Sequence, residues 1–262
     1  MDYPRPRKRL GQHFLTDRGV LTRIADALAL TGRETVVEIG PGRGALTELL
    51  VARAARVVAV ELDGTLAGIL RTQYATDPRV TIVERDILDV RPADVAGTDD
   101  YVLAGNVPYY ITTPILFHVL RPPAPARAVF LVQREVAERV VSPPGSKVYG
   151  ALSVNVQTVA DARILFTVSP RAFAPPPTVD SAVLLVTPRA QPLVVGEGFA
   201  EWVVALFGLR RKQMGRILRT VWRLNPEQAE ALLERAGIPA DRRPETLSPE
   251  ALAGLYRLWA KA

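Results

Sequence analysis

The chain has 262 residues, 48% of them apolar, with 33 Lys and Arg against 27 Asp and Glu, no cysteine and two histidines. This length suits one large domain plus a small one with ample core, while the missing cysteines exclude disulfides and thiolate metal sites, and with them the zinc-dependent base deaminases. The net charge of +6 favours a polyanionic partner; no stretch reaches the ~18 apolar residues of a membrane span, and "MDYPRPRKRLGQHF" has no apolar segment behind its basic residues, so a cytoplasmic address is expected.

After this basic arm the first predicted strand is "TVVEIG" (35–40), followed by the Leu-rich helix "ALTELLVARA". The second is "RVVAVELD" (56–63), with a helical stretch to about Tyr74, and the third is "RVTIVERD" (79–86). "DYVLAGN" (100–106), "RAVFLVQ" (127–133), "ARILFTV" (162–168) and "SAVLLVTP" (181–188) complete seven. Apolar runs without polar alternation fit strands covered on both faces. Alternating with helices, they predict a doubly wound, Rossmann-like α/β sheet. The last two strands lie about a dozen residues apart with prolines and no helix between them, which predicts an antiparallel hairpin at one edge. From about residue 198 the strand character stops. Helices are predicted over "FAEWVVALFGLRRKQMGRILRTVWRL", "PEQAEALLERAG" and "SPEALAGLYRLWAKA", the last capped by Ser248. A boundary near residue 192 divides a catalytic domain (1–192) from a small helical one (193–262). Lys147 and Tyr149 read as parts of a glycine-proline loop, and His118 as structural.

Gly40, Gly42 and Gly44 fall between the first strand and its helix in "EIGPGRGALT", where glycine lets the backbone turn and approach a ligand. Alone, this spacing also fits a bare tight turn, and it differs from the G-x-G-x-x-G of dinucleotide binders. Glu61 closes the second strand, where a carboxylate can accept from ribose hydroxyls. Asp86 ends the third strand and Asn106 the fourth, so four successive strands carry a glycine or polar residue at the carboxyl edge. An adenosine-containing cofactor, NAD or S-adenosylmethionine, would bind there. "NVPYY" decides for the second. Asn106 and a backbone carbonyl fixed by Pro108 offer two acceptors, which suit an exocyclic amine such as adenine N6 and offset the charge that develops as a methyl group arrives. The adjacent phenols Tyr109 and Tyr110 precede the helix "TTPILFHVL", and Tyr109 is positioned to stack on a base flipped out of its helix. No metal enters this chemistry.

"RKRLGQHFLTD", "VEIGPGRGALT", "VAVELD", "GNVPYYITTPILF", "VQREVAERV", "GSKVYGALSV" and "FAPPPTVDSAV", in order across residues 7–188, resemble the KsgA-type small-subunit ribosomal RNA adenine dimethyltransferases. The tail with "FGLRRKQM" is similar to the C-terminal domain of that family. The resemblance implies S-adenosylmethionine-dependent dimethylation of N6 on two adjacent adenosines near the 3′ end of 16S rRNA, in a small ribosomal subunit or its precursor. It implies that His13 and Leu15 line the cofactor site with Gly40 and Gly42, and that Glu61, Asp86 and Asn106 bind ribose, cofactor adenine and the methionine or target end. Phe173 would be a second stacking surface against the target base. His13 stands where many relatives have Asn, and Val107 where most have Leu or Ile. A monomer is expected. Other readings stay open: a large-subunit rRNA adenine methyltransferase of the macrolide-resistance type, which typically has Phe where Tyr109 stands; a non-catalytic RNA-binding assembly or transcription factor; and a DNA adenine methyltransferase, against which "NVPYY" speaks.

No acidic residue occurs between Trp202 and Pro226. On one continuous helix, Lys212, Arg216, Arg219 and Arg223 would fall within an arc of roughly 60°, opposite Met214, Ile217, Leu218 and Val221. This predicts a cationic ridge for RNA phosphates.

Overall fold

The β-branched runs "TVVEI", "RVVAVE" and "VTIVE" are too short for helices and too apolar for loops, and they assemble side by side. The computed structural model describes residues 4–7, 11–193 and 198–261; Lys8 and Arg9 of the basic arm lie outside them. In chain order, β1 (Phe14–Leu15) and α1 (Arg18–Ala27) precede β2 (Thr35–Ile39), α2 (Ala45–Val51), β3 (Arg56–Glu61), α3 (Gly64–Gln73), β4 (Val80–Glu84) and α4 (Pro92–Ala96). Then come β5 (Val102–Asn106), α5 (Thr112–Val119), β6 (Arg127–Gln133), α6 (Arg134–Val141), α7 (Ala151–Gln157), β7 (Ala160–Val168), β8 (Phe173–Ala174) and β9 (Ser181–Pro188).

The main sheet has the order β4-β3-β2-β5-β6-β9-β7. Its first five strands run parallel, with Val36 facing both Val57 and Val102, and β9 is antiparallel to β6. Val36, Val37, Val58, Leu103 and Val129 are fully buried, each contributing about 1.5–3 kcal/mol by leaving water. From β2 the chain winds outward through β3 and β4 on one side and through β5 and β6 on the other. The strand order therefore reverses between β2 and β5, and a crevice opens at their carboxyl ends.

The segment between β7 and β9 differs from the plain hairpin its length predicts. After a 3-10 turn at Pro170–Ala172, β8 leaves the sheet and pairs antiparallel with β1, Phe14 opposite Ala174 and Leu15 opposite Phe173. Pro175, Pro176 and Pro177 come next, and without N–H groups they cannot extend that ladder.

The chain divides into two compact units, Met1–Ala137 with Ala162–Pro188, and Glu138–Asp161 with Arg189–Ala262. The second gathers α7 with α8 (Phe199–Gly208), α9 (Met214–Val221), α10 (Pro226–Arg235) and α11 (Pro249–Trp259). Residues 138–161 thus group with the helices rather than with the sheet that precedes residue 192, because Tyr149 and Val154 are buried in the helical core beside Trp202, Met214 and Leu252. The Tyr149 hydroxyl donates to the Leu247 carbonyl at 2.9 Å, so this residue belongs to the core and not to the loose glycine-proline loop expected of it. Ser248 caps α11 as expected, accepting from Ala251 N–H.

The long helix predicted across residues 199–224 is broken. α8 ends at Gly208, residues 209–213 form a turn, and α9 begins only at Met214. The first amides of α9 donate outside the helix, Met214 to the Arg242 carbonyl (2.7 Å) and Gly215 to that of Ala240 (3.1 Å). Arg210 is drawn to Glu245 at 2.7 Å. Only Arg216 and Arg219 of the four ridge cations therefore lie on α9. Lys212 sits in the turn before it, and Arg223 lies beyond its end at φ +55°. All four are exposed, while Met214, Ile217 and Leu218 are fully buried.

Candidate active site

The crevice at the carboxyl ends of β2, β3 and β5 is an open cleft lined by glycine backbone, carboxylates and apolar side chains. Gly40 (φ +65°) and Gly42 (φ +57°) shape the turn from β2 into α2. A Cβ on Gly40 would come 3.3 Å from the Asn106 carbonyl, and one on Gly42 would lie 3.0 Å from the Phe14 ring. Neither position tolerates a side chain, and both leave bare backbone facing the cleft.

Two carboxylates stand on the cleft floor. Glu61 Oε2 accepts from Gly42 N–H at 3.0 Å and Oε1 from Asp63 N–H at 2.9 Å. Burial pushes its pKa up, and these two backbone bonds oppose that push. A carboxylate has about four acceptor positions, so each oxygen keeps a lone pair for a hydroxyl. Asp86 Oδ1 accepts from Leu88 N–H at 2.9 Å, and Oδ2 takes no hydrogen bond from the described residues, which leaves it to an amino group. Glycine backbone, two acceptor carboxylates and an apolar wall that includes Ile87 and Leu66 fit an adenosine moiety.

Asn106 Nδ2 donates to the His13 carbonyl at 3.1 Å. A carbonyl can only accept, so the amide nitrogen must face His13 and Oδ1 must point away from it. The Val107 carbonyl, in the same wall, accepts no hydrogen bond from the described residues, an acceptor without a donor. The Pro108 carbonyl is occupied, accepting from Ile111 N–H and Thr112 Oγ1, both at 3.2 Å. Of the two carbonyls flanking the Pro108 ring, the one before it is thus left without a donor among the described residues, and the one after it is not. The Tyr109 hydroxyl lies 2.6 Å from Ser181 Oγ, and burial raises its pKa. The His13 ring lies nearly parallel to the Tyr109 ring, centroids 5.9 Å apart, with Nδ1–H donating to the Pro175 carbonyl at 2.9 Å.

The structure thus brings His13, Gly40, Gly42, Glu61, Asp86, Asn106, Pro108 and Tyr109 to one cleft. Leu15 is not in its wall; as the second residue of β1 it is buried and borders a smaller adjoining recess. Phe173 is not there either. Its pairing with Leu15 turns the ring into the core, leaving it 4% exposed, with no open face for a base. His118 is structural, Nε2–H donating to the Val90 carbonyl at 2.8 Å.

Four groups escape sequence reasoning. Gln12 lines the cleft and donates through Nε2 to Asp63 Oδ2 at 3.1 Å, and Arg7 joins the same carboxylate at 3.2 Å, so Asp63, 2% exposed, anchors the N-terminal arm. Glu38, 1% exposed, accepts from Thr47 Oγ1 at 2.7 Å. Its pKa is pushed up to about 8, first by burial and then by the neighbouring Glu61 charge, against the Thr47 bond. A lone acid inside the apolar run "TVVEI" is the signal that marks it. Among the described residues no cluster of His, Asp and Glu is arranged to hold a metal ion.

A mostly parallel sheet with an antiparallel seventh strand, a glycine-rich first turn and acidic ends on the next strands define a Rossmann-like methyltransferase. A dimethyladenosine transferase from Plasmodium falciparum superposes with a TM-score of 0.81 over 95% of this chain and 98% of that one, at 22% identity. The 23S rRNA methyltransferase ErmE superposes with a TM-score of 0.70 at 28% identity, over 94% and 98%. The sequence profile described as ribosomal RNA adenine dimethylase matches residues 4–261, and the chain belongs to that family. Among curated relatives, the ribosomal RNA small subunit methyltransferase A of Geobacter sulfurreducens is 44% identical over 97% of this chain and 95% of its own length. That of Acidobacterium capsulatum is 43% identical over 95% and 89%.

Proposed function

We propose that the protein uses S-adenosylmethionine to dimethylate N6 of two adjacent adenosines near the 3′ end of 16S rRNA as the small ribosomal subunit matures. The observation that carries this reading is the fixed Asn106 amide, whose oxygen, with the Val107 carbonyl, offers two acceptors to a base amine. When bound, the cofactor supplies an electrophilic methyl group. Gly40 and Gly42 let the backbone approach it, Glu61 accepts from its ribose hydroxyls, and Asp86 Oδ2 accepts from its adenine amine. In the first transfer Asn106 Oδ1 and the Val107 carbonyl accept the two N–H bonds of the target amine, draw its nitrogen toward tetrahedral geometry and offset the charge it acquires; in the second, one of them accepts the single N–H that remains. The methylated ammonium is acidic enough to lose its proton without a strong base. Tyr109, its hydroxyl tied to Ser181, offers its ring to the flipped base.

The small-subunit substrate is favoured over the large-subunit one because relatives at 43–44% identity carry the small-subunit name, against 28% for the 23S enzyme. Lys212, Arg216, Arg219 and Arg223 serve as phosphate contacts, and the protein works as a monomer in the cytoplasm, where its ribosomal RNA is made. Incubating it with unmethylated ribosomal subunits and methyl-labelled cofactor, then mapping label by mass, tests this. Two adjacent dimethylated adenosines near the 16S 3′ end are expected. Label in 23S rRNA would replace the substrate, and cofactor binding without transfer would leave only an RNA-binding role.

A further inference from the structure

We propose that Tyr110 is a stacking platform for the nucleobase next to the flipped target, at the mouth of the cleft; this rests on the RNA-methylation reading of that cleft. Residues Tyr109–Ile111 form a 3-10 turn, in which successive side chains project about 120° apart. Tyr109 therefore turns inward to Ser181, and its neighbour turns outward. Tyr110 is 58% exposed, one of few large apolar side chains left in water, and it still borders the same cleft as Asn106. It is braced from one side. Gly11 has φ +58°, and a Cβ there would come 3.3 Å from Tyr110 Cδ1, so the ring edge rests on the bare backbone of the N-terminal arm.

A base drawn into the cleft leaves its chain neighbour with an uncovered π-face at the rim. An aromatic ring held there covers that face whatever the base is, and such stacking is a main source of affinity for unpaired nucleotides. Tyr110 is the side chain at the mouth with the area and chemistry for it, one residue from the ring assigned to the target itself.

The competing role, a bulky clamp on the arm, is separable by shape. Tyr110→Phe and Tyr110→Trp keep a flat ring, Tyr110→Leu keeps bulk without one, and Tyr110→Ala keeps neither. With unmethylated small ribosomal subunits as substrate, Phe and Trp are expected to hold KM for the subunits within about 2-fold, while Leu and Ala raise it roughly tenfold. S-adenosylmethionine affinity, measured by calorimetry on the same samples, is expected to stay unchanged in all four. Leu behaving as Phe does, or cofactor affinity falling in step with the rise in KM, would overturn the platform in favour of a clamp. Wild-type protein that methylates no small subunits would instead overturn the methylation reading, and the platform with it.

Discussion

The Asn106 amide nitrogen seats the arm through the His13 carbonyl, and its oxygen is the one proposed above to meet the target amine. Asn106→Ala should abolish methyl transfer while leaving cofactor affinity within roughly tenfold, since one hydrogen bond to the arm is worth about 1 kcal/mol. Transfer near the wild-type rate would remove the amide from the chemistry. Asp86→Ala should do the opposite. Cofactor affinity, read by calorimetry, should fall first, because the carboxylate is assigned to the cofactor adenine. Glu38 supplies a pH signature. Its folded pKa of about 8 lies above the ordinary 4.5, so the folded state binds more protons than the unfolded one between those values and stability falls as pH rises through that window. Glu38→Gln keeps an acceptor for Thr47 and cannot ionise. Its melting temperature relative to wild type should climb from about pH 4.5 to about pH 8 and stay level beyond, and a pH-independent difference would contradict the buried neutral acid. These residues were unequally legible in sequence. Glu61 and Asn106 stand out because each is the last residue of an apolar strand; Asp86, expected to end the third strand, lies two residues past the end of β4 and caps a 3-10 turn, and the contrast between the Val107 and Pro108 carbonyls depends on a turn that ties up one and spares the other.

At the scale of elements, β2, β3, β5, β6 and β9 were legible because they are buried and almost wholly apolar, and the half-buried edge strands β4 and β7 because short β-branched or apolar runs mark them. β1 and β8 were not, since two residues carry no periodicity and their pairing partner is far away in the chain. Phe173 bears the consequence of that hidden pairing. Its family position suggests a stacking surface, but its ring fills the core behind β8. Phe173→Ala should therefore cost about 3–5 kcal/mol in a denaturant titration. Phe173→Leu should lose less and keep KM for RNA near wild type, and a large rise in that KM in a stable Leu variant would return the residue to the base. The break between α8 and α9 was equally hidden, because it depends on carbonyls of residues 240 and 242 receiving the amides that a continuous helix would have used internally.

For the molecule as a whole, α9 and its flanking turns leave Lys212, Arg216, Arg219 and Arg223 exposed in a stretch with no acidic residue between Trp202 and Pro226. Changing all four to Gln spares Met214, Ile217 and Leu218 and should preserve folding and cofactor binding. It should flatten log affinity for RNA against log salt by roughly 3, at ~0.7–0.9 per phosphate contact. An unchanged slope in the folded variant would move RNA binding to the sheet-containing unit. A loss of strand character near residue 192 suggests two parts from sequence, but the grouping of residues 138–161 with the helices comes from the burial of Tyr149 and Val154, which composition does not reveal. The clasp of β1 on β8, with His13 and Pro175 separated by 162 positions, also sets an order of assembly. Domains made on a ribosome begin to fold from the N-terminal end as synthesis proceeds; Asp63 and Asn106 can hold the arm early, yet β1 has no strand to pair with until β8 has been translated. A nascent chain can carry Gly40, Glu61, Asp86 and Asn106 while the arm that walls them still lacks its strand partner and the Pro175 carbonyl, so an enzyme that acts on ribosomal RNA fastens the wall of its own cleft only late in its own translation.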